Sequence, residues 1–140
     1  MQDRFRFRVW NIQVKEMIYN AEIAYDGTNY NTKWQIGHNT NDVWVDCFGY
    51  YLDYEHEYYE IMQCTGLKDK NGKLIYENDI VKTLYTRPDG VVINRNCVVE
   101  FNRCAFWINY GVGASYLDND DCIYEVIGNV YQDKELLNEK

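Results

Sequence analysis

Residues 64–82, read as Cys-Thr-Gly-Leu-Lys-Asp-Lys-Asn-Gly-Lys-Leu-Ile-Tyr-Glu-Asn-Asp-Ile-Val-Lys, constrain the fold more than any other stretch of the chain. Asn71-Gly72 supplies residue types that tolerate positive φ, which a chain needs where it reverses tightly. The segment therefore predicts two strands joined at residues 71–72. The same logic recurs elsewhere. Residues 4–10 alternate Arg-Phe-Arg-Phe-Arg-Val-Trp, and a period of two sets Phe5, Phe7 and Val9 on one face and Arg4, Arg6 and Arg8 on the other. This predicts a half-buried strand with an arginine face.

Further strands are expected over 16–24, 43–48, 79–85, 91–101 and 105–110, with a turn at Asp26-Gly27 and another at Arg87-Pro88-Asp89-Gly90. Fourteen tyrosines, five phenylalanines and four tryptophans against one proline favour pleated, half-buried surfaces. Short strands at this spacing predict a mainly β protein: a β-rich N-terminal part, a small SH3-like β-barrel towards the C-terminus and a short C-terminal helix. Asp133 is the expected N-cap of that helix, with Leu136 and Leu137 packing it on the sheet. At 140 residues the chain is read as one domain, with subdomains at 1–60 and 61–140. Between residues 49 and 60 strand and loop remain equally open.

The 64–82 segment resembles the central motif of the YopX family, small proteins of bacteriophages and prophages. Residues 5–11 followed by Met17-Ile18-Tyr19, the triplet Ala105-Phe106-Trp107, and residues 122–137 are similar to the same family. Cys64 stands where the family usually has tyrosine, Asn78 where glycine is usual, and Asp133-Lys134 where asparagine and proline are common. Asparagine reaches the left-handed region more easily than other non-glycine residues, so the turn at Asn78 is expected to survive. The resemblance implies a phage or prophage origin and a final strand leading into a short helix. It transfers no catalytic residue, because the family carries no assigned molecular activity.

Charge and chemistry narrow the remaining readings. Twenty-two acidic against fourteen basic side chains give a formal charge of −8, which disfavours non-specific binding to nucleic acid or anionic membranes. Without an apolar run of bilayer length or a signal-peptide core, the expected location is the cytoplasm of the bacterial host. Five cysteines in no C-x-x-C pair point to reduced thiols without a structural metal or disulfide framework. His56 lies among Asp53, Glu55, Glu57 and Glu60, but strand parity at 53, 55 and 57 reads as a solvated acidic face. Asp118-Asn119-Asp120-Asp121 lacks the glycine and the acidic twelfth ligand of a calcium loop. Ser115, the sole serine, sits in no nucleophile elbow, and Gly111-Val112-Gly113 is no dinucleotide loop. No enzyme and no cofactor is expected.

Two surfaces remain. Tyr50, Tyr51, Tyr54, Tyr58 and Tyr59 form an aromatic, acidic stretch suited to protein contact, though each ring can equally cover the core with its hydroxyl in water. Arg4, Arg6 and Arg8 with Lys68, Lys70 and Lys73 at the hairpin tip can meet phosphates, or else pair with acidic strands and protect sheet edges. The sequence thus favours a non-enzymatic protein acting through a phage or host protein partner or self-association. A nucleic-acid-associated accessory protein is the alternative, and a DNA mimic the third reading.

Overall fold

The computed structural model describes residues 6–26, 33–40, 43–46, 59–117 and 122–138, with side chains over 6–19, 60–117 and 122–138. The chain resolves into two compact units, within 5–63 and 64–140. Both are built from antiparallel strands.

In the first unit β1 (Phe7–Asn11), β2 (Glu16–Asp26), β3 (Lys33–Thr40), β4 (Val43–Asp46) and the start of β5 (Tyr59–Lys68) lie in the order β4-β3-β2-β1-β5. β1 pairs on both sides, with Val9 opposite Ile18 on β2 and Ile61 on β5. The hairpin between β1 and β2 turns on Asn11, whose side-chain oxygen accepts the N–H groups of Gln13 and Val14. Lys15 closes it at φ 57°.

The alternation in β1 does not produce a half-buried strand. Arg8, Val9 and Trp10 are all buried, at 2%, 0% and 7% exposure. A period of two assigns residues to two faces, and around residues 8–10 both faces are covered. The stretch from 26 to 60, in which the sequence offered only the 43–48 strand, contains β3, β4 and the first residues of β5.

In the second unit β6 (Leu74–Tyr76) pairs with the end of β5, and β7 (Asp79–Thr86), β8 (Val92–Asn102), β9 (Ala105–Asn109), β10 (Ala114–Tyr116) and β11 (Cys122–Asn129) form a sheet in the order β10-β9-β8-β7-β11. The predicted hairpin forms. Gly72 takes φ 80°, while Asn71 stays outside the positive-φ region, so the reversal is a turn over Asp69–Gly72 closed by glycine alone rather than by the pair. Asn78 adopts φ 64°, the left-handed conformation expected where the family places glycine. Its N–H donates to the Val99 carbonyl, its carbonyl accepts from Val130, and its side-chain amide donates to Tyr131.

The C-terminal helix is a 3-10 helix, Lys134–Asn138, with half-buried Leu136 and Leu137. The Asp133 carbonyl accepts the first helical bond from Leu136, but its carboxylate turns back to the N–H of Asn129 and does not cap the helix. The carboxylate packs against Gly128, where a Cβ would lie 2.5 Å from its oxygen. Glycine leaves the space the Asp133 side chain occupies. The Leu136 carbonyl accepts a bond from the Asn96 amide, which ties the helix to β8.

Candidate functional site

The sheet of the second unit sorts its side chains by register. Val81, Thr83 and Tyr85 on β7 stand opposite Cys97, Arg95 and Ile93 on β8 and opposite Val126, Tyr124 and Cys122 on β11. Val99 faces Ile108 on β9, which in turn faces Ser115 on β10. Because side chains alternate across a strand, these residues share one face. One half of it is the core, where Val81, Cys97, Val99 and Ile108 join Ile75 and Leu117.

The other half opens into a groove of about 220 Å3. Ile93 and Ile108 provide apolar lining, Tyr85 and Tyr110 aromatic lining, and Ser115 a hydroxyl. Among the described residues lining it Arg95 is the single charged one, with its guanidinium 4.8 Å from the centre of the Tyr110 ring. That spacing is a cation–π contact. Tyr110 is itself pinned. Its ring lies against Gly113, where a Cβ would meet the hydroxyl at 2.9 Å, and its N–H donates to the Gly113 carbonyl. Glycine at 113 thus sets the tyrosine, and the tyrosine sets the arginine.

Cys97 marks the border between core and groove. Burial pushes its thiol pKa up, against smaller downward pulls from the Thr83 hydroxyl and the Arg95 charge and an added push from Cys122. A raised thiol pKa means little thiolate, and Cys97 packs with Val81 and Val99 in the core. Cys64, Cys97, Cys104 and Cys122 are in no disulfide, and Cys47 lies outside the described residues. A second cavity of about 440 Å3, lined by Thr65, Leu67, Ala105, Phe106, Tyr116 and Leu117, has no charged group among the described residues of its lining.

The residues singled out in the sequence separate. Arg8 is buried and is therefore no part of a basic surface, a correction to the arginine face. Arg6 is exposed and Arg4 lies outside the described residues. Lys68, Lys70 and Lys73 are exposed at the hairpin tip, but Lys70 pairs with Glu125 at 3.0 Å, so its charge is locally answered. Tyr50, Tyr51, Tyr54 and Tyr58 fall outside the described residues. Tyr59 opens β5 opposite Asn11, with its side chain outside that set. His56, Asp53, Glu55, Glu57 and the 118–121 run are likewise outside it. Among the described residues no cluster of three histidine, cysteine or acidic side chains is placed to hold a metal.

The groove was missed because its residues come from five strands. One signal existed. Ile93-x-Arg95-x-Cys97-x-Val99 places a lone cation at an inward position of an apolar run.

A small antiparallel-β architecture with a groove on one sheet face is what the residues define, and the comparisons place it. The model of the YopX protein family matches residues 6–138, and the chain belongs to that family. The fold is similar to the crystal structure of protein yopX from Bacillus subtilis, with a TM-score of 0.64 and 21% identity over 98% of each chain. It is also similar to protein EF1440 from Enterococcus faecalis, with a TM-score of 0.52 and 26% identity over 94% of this chain and 96% of that one. No curated protein matches the chain. Among the described residues no helix is long and apolar enough to cross a membrane.

Proposed function

We propose that this chain is a non-enzymatic phage or prophage protein of the bacterial cytoplasm, in which an SH3-like barrel at 61–140 serves as a platform for contact with another polypeptide. The observation that carries this reading is the Tyr110–Arg95 stack at the mouth of the 220 Å3 groove. Tyrosine and arginine dominate the energetically important centres of protein interfaces, where a flat ring and a planar cation give large contact area with few rotatable bonds. Arg95 is exposed, and its contact with the Tyr110 ring biases its position before any partner arrives. A pre-set side chain loses less freedom on binding than a mobile one.

The basic features support nucleic-acid contact less well. With Arg8 buried and Lys70 paired, the exposed lysines Lys68 and Lys73 at the tip face a formal chain charge of −8. Any DNA contact on that footing fades with salt.

The test compares the wild type with the double variant Arg95→Ala, Tyr110→Ala, by capture from the bacterial host and by light scattering of the purified chain. A partner or an oligomer present in the wild type and lost in the variant is expected. Complexes unchanged by the double substitution refute the reading. So does sub-micromolar DNA binding that survives physiological salt.

A further inference from the structure

We propose that the groove receives the C-terminus of a partner polypeptide, the terminal carboxylate on Arg95 and the last side chain against Ile93 and Ile108. The proposal rests on the protein-contact reading and names the chemistry of the contact.

Four observations converge on a single carboxylate beside a single apolar group. Arg95 takes part in no ion pair among the described residues, and its guanidinium lies over the Tyr110 ring. Among the described residues the lining of the groove holds no acidic side chain, in a chain whose formal charge is −8. A guanidinium presents a planar fork of donors matched to the two oxygens of a carboxylate. The groove is thus a local positive site in an acidic protein.

Size supplies the second constraint. At about 220 Å3 the groove is smaller than the roughly 300–1,000 Å3 of pockets that bury drug-sized ligands. It suits one residue. A C-terminal residue carries its carboxylate and its side chain on the same Cα, so one residue supplies both the anion for Arg95 and the apolar group for the isoleucines. Overall charge supplies the third. A chain at −8 repels a polyacidic segment, whereas a terminus brings one negative charge and can follow a neutral or basic sequence.

Preorganisation completes the argument. Gly113 leaves the space into which Tyr110 packs, and Tyr110 carries Arg95. Any side chain at 113 displaces the ring and, through it, the cation. Gly113 and Tyr110 are therefore positioning residues for the anion site.

The experiment titrates the full chain by calorimetry with acetylated tetrapeptides ending in Phe, Leu or Val, each as free acid and as C-terminal amide, and with an amidated peptide carrying one internal Glu. Free acids should bind at least about tenfold tighter than their amides, the factor one lost charge-assisted contact represents. The internal-Glu peptide should track the amides. Arg95→Gln should abolish the acid preference, Arg95→Lys retain part of it, and Gly113→Ala weaken it, with thermal melts confirming folding. Lys68→Gln should change nothing.

Equal binding of acids and amides, or no binding by any peptide at millimolar concentration, overturns the proposal. If the peptides fail while Arg95→Gln still removes a captured partner or an oligomer, the terminal-carboxylate inference falls and the protein-contact reading stands. If free acids bind through Arg95 while every macromolecular complex survives Arg95→Gln, the carboxylate site stands and the protein-contact reading falls.

Discussion

Two hairpin turns in the 64–140 unit share one backbone design and carry different loads. At Asp69–Lys73 the Gly72 N–H donates to the Asp69 carbonyl and the Asp69 N–H to the Lys73 carbonyl, with Gly72 at φ 80°. At residues 87–91 the Gly90 N–H donates to Arg87 and the Arg87 N–H to Val91, with Gly90 at φ 87°. Each is a four-residue turn whose last residue is a glycine in the left-handed region, a common hairpin closure. The resemblance ends at the side chains. Asp89 accepts the Val91 N–H and pairs with Arg87 at the surface, both half-exposed.

Asp69 is 7% exposed, and its carboxylate accepts the N–H groups of Asn71 and Lys73 on one oxygen and of Val126 on the other. Next to it the Lys70 N–H donates to the Tyr124 carbonyl. Residues 69 and 70 thereby satisfy backbone groups along β11, an edge strand of the sheet. An edge covered this way offers less template for unwanted pairing. A turn of fixed local geometry becomes a structural clasp only when one side chain reaches a distant strand.

The largest test of this contrast is Asp69→Ala against Asp89→Ala. Removing the Asp69 acceptor leaves buried donors unpaired, and bonds to a charged acceptor are strong, so a loss of about 3 kcal/mol is expected. Asp89→Ala should cost no more than about 0.5 kcal/mol, as exposed pairs do. Urea denaturation with equal m-values measures both. Equal losses break the comparison.

Acid sharpens it. Burial raises the Asp69 pKa, but the N–H donors of Val126, Lys73 and Asn71, with the Lys73 charge, outweigh it and set the carboxyl below its ordinary 3.8. A carboxyl with a depressed folded pKa stabilises fully above its unfolded value, and that stability is lost as pH falls through the folded one. Stability should therefore drop as pH falls below about 4, and Asp69→Asn should flatten that limb. An acid limb identical in the variant would show that another carboxylate governs it.

Gly72→Ala and Gly90→Ala probe what the turns share. Neither position has an atom within 4 Å of an added Cβ, so the cost is backbone strain alone, about 1–2 kcal/mol each. The two losses should agree within about 0.5 kcal/mol by thermal melting, since nothing tertiary distinguishes them. A much larger loss at Gly72 would mean that docking on β11 amplifies local strain.

A third hairpin supplies a stabilising test. Between β8 and β9, Arg103 and Cys104 both take positive φ, 50° and 61°, with Asn102 paired to Ala105. Two central residues at positive φ form the turn that prefers Asn-Gly, which this chain fills with Arg-Cys. The double change Arg103→Asn, Cys104→Gly should raise stability by about 1 kcal/mol in the same melts. The smallest effect belongs to the Lys70–Glu125 pair, about half and a third exposed, where Lys70→Ala should cost at most about 0.5 kcal/mol.

Much of the strand pattern was legible because strands and turns announce themselves within a few residues. The hairpin around 71–72, the turn at 87–90 and the left-handed Asn78 appeared where side-chain type restricts φ, and the run 91–101 where β-forming residues concentrate. β3 was not legible. Its Gly37, His38 and Asn39 are weak strand formers, and it exists by pairing with β2 and β4. Three-residue β10 is too short to show a period, and pairs with β9 through Ala114, Ser115 and Tyr116. Arg8 reads as a surface cation in any single-strand view, and its burial depends on what covers the second face of β1.

The sequence by itself determined where the chain turns and which residues share a strand face, because a turn closes through hydrogen bonds among four or five neighbours and alternation is fixed by the pleat. Tertiary structure alone decided which of those residues carry weight. Asp69 is buried because β11, 57 residues away in sequence, lies over it. Arg95 is set over Tyr110 because β8, β9 and β10 lie side by side and Gly113 leaves room for the ring. Burial and neighbourhood are properties of residues far apart in the chain, and no local propensity contains them.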